Sequence, residues 1–459
     1  MYKKINLALC IAGVLLAGCT PDNDTSKASK AVDLQPDPVA SAPLDTAGSA
    51  EPSVDDLHAL HQRLLTMDTH VDLDVSNFTA ERNYTQTLQT QVDLGKLEEG
   101  GLDAIWFSVY TGQGELNEAG YAAALENAIA KFEAVHRLTE EIAPQRIGFA
   151  TTPEEVNTLI DQGKLVALIG VENAYPLGTD LSLVQDFYDR GARYMSLAHN
   201  GHSQFADSNT GERDGVWLHN GLSDLGRELV QEMNRVGIII DLSHPSKTAN
   251  MQTLALTKAP VIASHSSART ISDHSRNLDD EELMAIKKNG GVVQTVAFGA
   301  YVNGKKYDAW KDKAFAVMAR EAHKTGFNLL EWKEVAQLDH DARHEYMHGF
   351  MKLRAQVAPL VEAEVDPITP PVNVQDFVDH IDYLVQKIGI EHVGISSDFD
   401  GGGGVAGWND ASETAAVTEE LIKRDYSEDE IGLLWSGNLM RVMGEVQTVA
   451  DALNSLPPG

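Results

Sequence analysis

Residues 165–173 read LVALIGVEN, a continuous apolar run that ends in an acidic residue, Glu172. Unbroken apolar runs of this length are typical of strands buried on both faces of a parallel sheet. Seven more stretches have the same character: 64–73 (LLTMDTHVDL), 101–110 (GLDAIWFSVY), 192–200 (ARYMSLAHN), 237–244 (GIIIDLSH), 260–268 (PVIASHSSA), 290–298 (GGVVQTVAF) and 392–400 (HVGISSDFD). The sequence therefore predicts eight buried parallel strands.

Helical periodicity separates these stretches. Helices are predicted over 121–142, 153–162, 181–190, 221–236 and 279–289, and Ser427 with Glu430 predicts a capping box for a C-terminal helix that runs toward Val446. Regular alternation of strands and helices favours a closed (β/α)8 barrel, a TIM-like α/β fold, over an open doubly wound sheet. Residues 301–371 interrupt the alternation and predict a helical insertion before the last strand.

The N-terminus predicts export. Residues 1–18 combine a basic start with a short apolar stretch, and Leu16-Ala17-Gly18-Cys19 resembles the bacterial lipobox, so we expect a lipoprotein signal peptide and a lipid on Cys19. Residues 19–54 are rich in Ser, Ala, Pro and Asp and predict a disordered tether, which leaves 55–450 for the barrel. Thr20, in place of an aspartate, favours the outer membrane of a bacterial cell envelope without indicating the periplasmic or the surface face.

Composition excludes several classes of function. Cys10 and Cys19 are the two cysteines of the chain, so disulfides, cysteine nucleophiles and thiolate zinc sites are not expected in the barrel. The formal net charge of −32 argues against nucleic acid or an anionic membrane surface as a partner. Membrane contact is expected through the lipid anchor only.

Six of the eight predicted strands end in His, Asp or Glu. In a parallel barrel all strand C-termini lie on one face, where active sites form, so these side chains are expected to converge. The strongest group is His70, Asp72, Glu172, His244 and His265. Three imidazoles and two carboxylates suit two zinc ions, or other divalent metals, with Glu172 as the bridging carboxylate. Such a pair of ions can hold a bridging hydroxide as nucleophile and polarise a carbonyl.

The chain resembles the renal (membrane) dipeptidase family of amidohydrolase-type barrels over roughly residues 60–445. The matching segments are Asp68-Thr69-His70-Val71-Asp72, Gly170-Val171-Glu172-Asn173, Leu197-Ala198-His199-Asn200, Asp241-Leu242-Ser243-His244, Ser264-His265-Ser266-Ser267-Ala268, Ser275-Arg276-Asn277, Gly290-Gly291-Val292-Val293 and Asp398-Phe399-Asp400-Gly401. The resemblance implies hydrolysis of the peptide bond of dipeptides by a two-zinc metallopeptidase, and it leaves a homodimer open.

The resemblance also implies a role for each residue. His70 and Asp72 would bind one zinc, His244 and His265 the other, and Glu172 would bridge them. Asp398 would take a proton from the bridging water and pass it to the leaving amine. His199 would stabilise the oxyanion of the tetrahedral intermediate, and Arg276 would bind the terminal carboxylate of the substrate.

Two features depart from the family pattern. Leu73 is followed by Asp74 and Val75 where many family members have Leu-Pro-Trp, so an aromatic wall of the pocket is expected to be missing or to come from elsewhere. The insertion at 301–371 is also longer than usual. Side-chain preference for the substrate is therefore open, whereas the predicted metal set is unaffected.

Two alternative functions remain. One is another binuclear metal-dependent hydrolase on the same barrel, which would cleave a lactam, a lactone or another amide. Loss of Arg276 would separate it from a dipeptidase, since that loss should raise KM for free dipeptides but change it little for uncharged esters or lactams. The other is a non-catalytic lipoprotein that binds zinc or peptides. Asp398 argues against this second alternative, because a storage site needs no proton shuttle.

Three further motifs lie outside the predicted metal set. His344-Glu345-Tyr346-Met347-His348 matches the H-E-x-x-H pattern of zinc proteases, but no second motif supplies a third ligand, so we interpret it as an exposed insertion helix. The glycines of 401–404 lack a following Lys-Ser or Lys-Thr and predict a loop beside the site rather than a phosphate cradle. Asp241 is either a partner of a metal ligand or an ordinary strand residue.

Overall fold

The computed structural model describes residues 54–330, 332–335, 338 and 340–455. The predicted signal peptide, Cys19 and the tether, apart from residue 54, lie outside the described residues. None of the helices among the described residues is both long enough and apolar enough to cross a membrane.

The strands form one parallel sheet. Their bounds are β1 (Met67–Asp72), β2 (Ala104–Tyr110), β3 (Ile147–Phe149), β4 (Leu165–Glu172), β5 (Ala192–Ser196), β6 (Ile239–Asp241), β7 (Ile262–Ala263), β8 (Val292–Val296) and β9 (Val393–Ser396). The hydrogen-bonded order is β1-β2-β4-β5-β6-β7-β8-β9, and β3 pairs only with β4. Val71 bridges Phe399, and the amide of Asp72 donates to the carbonyl oxygen of Phe399 at 2.9 Å, which brings β9 back to β1. The predicted eight-stranded (β/α)8 barrel is confirmed.

The helices cover the outside of this barrel. Their bounds are α1 (Val54–His61), α2 (Leu94–Gly100), α3 (Glu118–Arg137), α4 (Pro153–Asp161), α5 (Leu183–Asp189), α6 (Gly211–Asp214), α7 (Asp224–Val236), α8 (Lys247–Leu256), α9 (Asp280–Asn289), α10 (Gly299–Val302), α11 (Gly304–Thr325), α12 (Trp332–Val335), α13 (His340–Glu364), α14 (Val374–Ile388), α15 (Ala415–Lys423), α16 (Glu428–Gly432) and α17 (Asn438–Asn454). Short 3₁₀ turns span Val75–Asn77, Tyr175–Leu177, Ile390–His392 and Ala411–Glu413, and π turns span Leu138–Ile142 and Leu433–Gly437.

Local sequence fixes where several helices begin and end. Asp279 and Glu282 form a capping box at the start of α9, and Ser427 and Glu430 form the predicted one at α16. Gly237 ends α7 with φ at 97°, a left-handed conformation that lets the chain turn directly into β6. The C-terminal helix continues past the predicted Val446, because α16, a π turn and α17 follow one another without a break.

The N-terminal end of the barrel is filled with apolar side chains. The cluster combines strand residues with one face of α17: Met67, Ala104, Trp106, Val166, Leu168, Tyr194, Ile239, Ile262, Val292, Leu439, Val442, Met443 and Val446. The rings of Trp106 and Tyr194 stack at 5.2 Å within it. Because this end of the barrel is filled, the large cavity of about 920 Å³ opens at the C-terminal ends of the strands.

The segment between β8 and α14 is mostly helical among its described residues, with α11 and α13 as its long helices. It has an apolar core of its own, formed by Trp310, Ala314, Val317, Met318, Ala322, Phe350, Leu353, Val357, Val361 and Val365. The side chains of His344, Glu345 and His348 lie outside the described part of α13, so the interpretation of the H-E-x-x-H motif stays a prediction. Tyr346 packs against Phe327 and Phe350, which gives this stretch an apolar side.

Candidate metal centre and substrate pocket

The polar residues at the strand ends meet in one place. His70 and Asp72 end β1, Glu172 ends β4, and four more follow their strands within three residues: His199 after β5, His244 after β6, His265 after β7 and Asp398 after β9. A cavity of about 920 Å³ opens above them, and all but His70 line it. The convergence expected from a parallel barrel is therefore present in the structure.

Glu172 lies at the centre of this cluster. One carboxylate oxygen, Oε1, is 2.9 Å from Nε2 of His244, 3.4 Å from Nε2 of His199 and 3.5 Å from Nε2 of His265. The other oxygen, Oε2, is 3.3 Å from Nε2 of His70. A single carboxylate thus faces imidazole nitrogens on both sides, which is the arrangement that a bridging ligand requires.

A second set of donors adjoins the first. His70, Asp72 and Asp398 each offer a ligand atom, and these atoms lie within 4.8 Å of one another. Asp398 has φ at 57°, a left-handed conformation that is rare and costly for a residue other than glycine and that occurs often at functional sites. A Cβ on Gly401 would lie 2.1 Å from Oδ2 of Asp72 and 2.4 Å from Oδ1 of Asp398, so glycine is needed there. The glycine-rich loop lies beside the site, as predicted, and permits this close approach.

Tyr194 orients the first imidazole. Its hydroxyl lies 2.9 Å from Nδ1 of His70 and donates to the carbonyl oxygen of Thr69 at 3.1 Å. Because the hydroxyl proton is used on Thr69, the oxygen accepts from Nδ1–H of His70, which leaves the lone pair on Nε2 facing Glu172. Gly170 makes room for the ring, since a Cβ there would lie 1.8 Å from the ring carbon Cζ.

Asp241 orients another imidazole through a serine. Ser264 Oγ donates to Oδ2 of Asp241 at 2.7 Å and lies 2.8 Å from Nδ1 of His265. The serine therefore accepts from Nδ1–H of His265 and leaves Nε2 free to face Glu172. This contact answers the question left open by the sequence: Asp241 supports a candidate ligand indirectly.

Asp68 plays a similar part on β1. Its carboxylate accepts hydrogen bonds from the hydroxyl and the amide of Ser397 and from the amide of His70. Burial raises its pKa to about 6, and the bonds from Ser397 and His70 oppose that rise. It ties the first half of β1 to Ser397, the residue directly after β9 and directly before Asp398.

The charge state of the cluster follows from its burial. Burial alone would raise the pKa of Glu172, but the facing imidazoles outweigh it and hold that pKa well below its ordinary value. Burial lowers the pKa of His244 and His265 well below the ordinary value, and Arg276 adds to this. Glu172 is therefore a carboxylate facing neutral His244 and His265, the forms in which both groups bind metal. Burial would lower the pKa of His70, but Tyr194, Glu172 and Asp72 outweigh it and raise that pKa well above its ordinary value.

The donor set fits divalent metal ions. Nε2 of His70 is buried and has no hydrogen-bond partner, although it lies 3.3 Å from the Glu172 carboxylate. A buried lone pair directed at a carboxylate is unfavourable unless a cation lies between them. His265 and His244 present Nε2 atoms 2.9 Å apart toward the same carboxylate. Imidazole and carboxylate donors of this kind suit zinc and related ions.

Replacing Tyr194 with phenylalanine tests this fit. Tyr194→Phe removes the hydroxyl that holds His70, while the ring still packs on Trp106. Loss of such a supporting contact should weaken metal binding by about 10- to 100-fold, measured by competition with a chelator. Tyr188→Phe is the matched control, because the hydroxyl of Tyr188 bonds Gln447 far from the cluster. Equal metal affinity of Tyr194→Phe and the unaltered protein would contradict the role of Tyr194.

Arg276 occupies the β7 side of the cavity. It is 2% exposed, although it belongs to the loop between β7 and α9. Its guanidinium donates to Ser266 Oγ at 3.3 Å and to the carbonyl oxygen of His265 at 3.1 Å, and it lies 5.5 Å from the ring centre of Tyr301. Within the described residues no carboxylate lies within 4 Å of it. A buried cation without a paired anion is suited to an anionic ligand.

Aromatic side chains line the cavity from other elements than β1. Phe298 and Tyr301 stack at 4.2 Å beside Arg276, and Tyr110 packs against His199 at 4.6 Å. All five of these residues line the cavity. The aromatic wall that the Leu73-Asp74-Val75 segment does not provide therefore comes from the ends of β2 and β8.

Residues 54–456 match the family model named membrane dipeptidase, peptidase family M19. Dipeptidase aclJ of Aspergillus oryzae is 30% identical over 389 residues, which are 83% of this chain and 76% of that protein. Dipeptidase 3 of Homo sapiens is 27% identical over 424 residues, 90% of this chain and 70% of that protein. The crystal structure of the probable dipeptidase PvdM from Pseudomonas aeruginosa has a TM-score of 0.68 at 31% identity and covers 86% of this chain and 98% of its own.

Proposed function

The chain belongs to the membrane dipeptidase family, peptidase family M19, and is a metal-dependent dipeptidase; on this basis we propose that the strand-end cluster holds two zinc or other divalent ions and cleaves free dipeptides. The observation that carries the proposal is the position of Glu172 between imidazoles, with the buried cation of Arg276 on the wall of the same cavity. The cluster supplies the site of bond cleavage, and the cation supplies recognition of the substrate.

We assign His70 and Asp72 to one ion, His244 and His265 to the other, and Glu172 to both. The two carboxylate oxygens support this division, because Oε2 faces His70 and Oε1 faces His244 and His265. When bound, such ions polarise the scissile carbonyl and lower the pKa of a water molecule that supplies the nucleophile. His70 and His265 are held in the ligand tautomer by Tyr194 and Ser264.

Asp398 is assigned the transfer of a proton from the attacking water to the leaving amine. It lines the cavity within 4.8 Å of donor atoms of His70 and Asp72. Burial raises its pKa well above the ordinary value, His70 opposes this, and the carboxylates of Asp72 and Glu172 add to it. A carboxyl group with a raised pKa binds a proton more readily than an ordinary aspartate and can then donate it to the leaving amine.

His199 is assigned the stabilisation of the oxyanion. Its side chain is 15% exposed, against 0% for His70, 4% for His244 and 3% for His265, so it faces the open cavity more than the three candidate histidine ligands do. Burial lowers its pKa, which keeps the ring neutral. A neutral imidazole on the cavity wall can donate a hydrogen bond to the oxygen of the tetrahedral intermediate.

The direct test is release of free amino acids from a panel of L-L and L-D dipeptides, each beside its C-terminally amidated form. The proposal predicts turnover of free dipeptides and little turnover of the amides. Equal turnover of both would remove carboxylate recognition. Metal binding without turnover of any dipeptide would overturn the proposal and direct the search to lactams, lactones and other amides.

Arg276→Met should raise KM for free dipeptides by about 100-fold, because loss of one partner of a buried charge pair costs several kcal/mol. KM for uncharged esters or lactams should change little. The matched control is Arg269→Met, since Arg269 lies in the same loop but is paired with Glu212 and Asp273. An unchanged KM for free dipeptides in Arg276→Met would show that the substrate carboxylate binds elsewhere.

We also propose that the chain is anchored to the outer membrane through a lipid on Cys19. The support is the sequence of residues 1–54, with its lipobox-like Leu16-Ala17-Gly18-Cys19 and the polar stretch that follows. Mass spectrometry of the N-terminal peptide tests this proposal. A Cys19 that carries no lipid in the native host would refute it.

A further inference from the structure

The cavity continues beyond the metal candidates toward the end of β2. Its lining there is formed by Asn77, Arg82, Tyr110 and Lys131, which we call the β2-side subsite. Two of these four residues are cations, and none of the four is a candidate metal ligand. The proposed function assigns no role to this part of the cavity.

Lys131 is the buried member of the β2-side subsite. It lies on α3, whose neighbouring residues Ala128, Phe132, Ala134 and Val135 are packed in the core, and it is only 8% exposed. Its Nζ atom lies 5.2 Å from the centre of the Tyr110 ring. Among the described residues no carboxylate oxygen lies within 4 Å of Nζ. The lysines of this protein that do form ion pairs, such as Lys247 and Lys306, are more exposed than Lys131. A buried ammonium without a paired anion is costly unless a ligand completes it.

Three acids face Lys131 without an ion pair to it within 4 Å. Burial lowers the pKa of Lys131, and the carboxylates of Asp72, Glu172 and Asp74 oppose this. Asp72 and Glu172 belong to the proposed metal set, and Asp74 accepts a hydrogen bond from the amide of Ser76 at 2.9 Å. With Asp72 and Glu172 bound to cations, Asp74 is the one of these three acids that still offsets the charge of Lys131, and it forms no ion pair with Nζ within 4 Å.

Arg82 extends the positive charge to the rim. Its side chain is exposed, and Nε donates to Oδ1 of Asn77 at 2.6 Å. Within the described part of the chain it has no ion pair closer than 4 Å. The two cations therefore make this end of the cavity attractive to an anion that enters from solvent.

The position of this subsite relative to Arg276 defines which part of a substrate reaches it. In the closed strand order, β2 and β7 are four strands apart in either direction, so they lie on opposite sides of the barrel. Arg276 follows β7, whereas Tyr110 ends β2 and α3 follows it. A dipeptide whose C-terminal carboxylate bound Arg276 would extend across the metal candidates toward Tyr110 and Lys131. Its N-terminal residue would then lie at the β2-side subsite.

We propose that the β2-side subsite selects dipeptides whose N-terminal residue has an acidic side chain, with Lys131 Nζ donating to that carboxylate. The inference rests on the proposed function, since Arg276 sets the orientation of the substrate. The α-amino group of the substrate is a cation and is repelled by Lys131. The side chain of the substrate's N-terminal residue is therefore the group that contacts Lys131. Arg82 at the rim attracts the same negative charge as the substrate enters.

The test compares isosteric substrates on the metal-loaded full chain. L-Glu-L-Ala should have a kcat/KM about 10- to 100-fold higher than L-Gln-L-Ala, the range expected for one charge-assisted hydrogen bond. Lys131→Met should abolish that preference by lowering the value for L-Glu-L-Ala, with L-Gln-L-Ala within about twofold of its original value. Lys131→Arg should retain part of the preference. L-Ala-L-Glu and L-Ala-L-Gln should respond equally to Lys131→Met.

Controls separate this inference from the proposed function. Lys423→Met, an exposed lysine on α15, should leave every ratio unchanged. If neutral dipeptides are cleaved but L-Glu-L-Ala is no better than L-Gln-L-Ala, or if Lys131→Met keeps the preference, the inference is wrong and the proposed function stands. If no dipeptide is cleaved by the metal-loaded protein, both are overturned. Retained metal content in each variant shows that it has folded.

Discussion

Glu172→Gln is expected to lose bound metal and to lower kcat/KM for dipeptides by roughly 1,000- to 10,000-fold, the effect of several kcal/mol of lost charge stabilisation. Glutamine keeps the size of the side chain but carries no negative charge between the imidazoles. Both proposed ions lose a ligand at once, because the two carboxylate oxygens face different imidazoles. Metal content after dialysis and kcat/KM should be measured on the same preparation.

Glu282→Gln provides the matched control for Glu172→Gln. Glu282 is also buried, but it lies in the capping box of α9, accepts a hydrogen bond from Asn250 at 3.0 Å, and has its pKa raised by burial to about 7. Its replacement should leave metal content and kcat unchanged. If Glu172→Gln retains two ions per chain and normal turnover, the assignment of Glu172 as the bridging residue is wrong.

Asp398→Asn is expected to lower kcat by about 100- to 10,000-fold, the usual contribution of a general acid–base group. Asparagine can occupy the same left-handed backbone position, since it tolerates positive φ better than most residues. It cannot carry a proton from the attacking water to the amine. Metal content should therefore stay unchanged while kcat falls and KM changes little, as measured by steady-state kinetics beside metal analysis.

Asp400→Asn is the control for Asp398→Asn. Asp400 lies two residues further along the same loop, also has positive φ, and accepts a hydrogen bond from the amide of Gln91 at 2.7 Å. Its replacement should reduce kcat by less than about tenfold. A kcat of Asp398→Asn close to that of the unaltered protein would contradict the proton-transfer role. A loss of metal in the same variant would instead make Asp398 a ligand.

The barrel could be predicted from sequence because its strands are buried on both faces. Runs such as 165–173 consist almost entirely of apolar residues, and this composition indicates burial on both faces. The short strand β3 was missed, because its three residues, 147–149, are too few for any periodicity and follow a segment predicted as helix. β6 and β7 are also shorter than the predicted runs, since the polar residues at their ends leave the sheet to join the cluster.

The convergence of the candidate ligands could be predicted because parallel strands bring their ends to one face. The supporting residues could not. Tyr194 acts on His70 from a distant strand, and Ser264 acts on His265 only because Asp241 fixes its hydroxyl proton. Lys131 looks like an ordinary helix lysine in sequence, and only the packing of α3 places it in the cavity. Such contacts depend on tertiary structure and cannot be predicted from the residue types at the ends of the strands.

We expect two metal ions, one on each side of Glu172. Anomalous diffraction at the zinc absorption edge, from crystals of the zinc-loaded protein, would locate them. Two peaks are expected, one between His70, Asp72 and Glu172 and one between Glu172, His244 and His265. A single peak at Glu172, or peaks found only beside the His344-Glu345-Tyr346-Met347-His348 helix, would contradict this expectation.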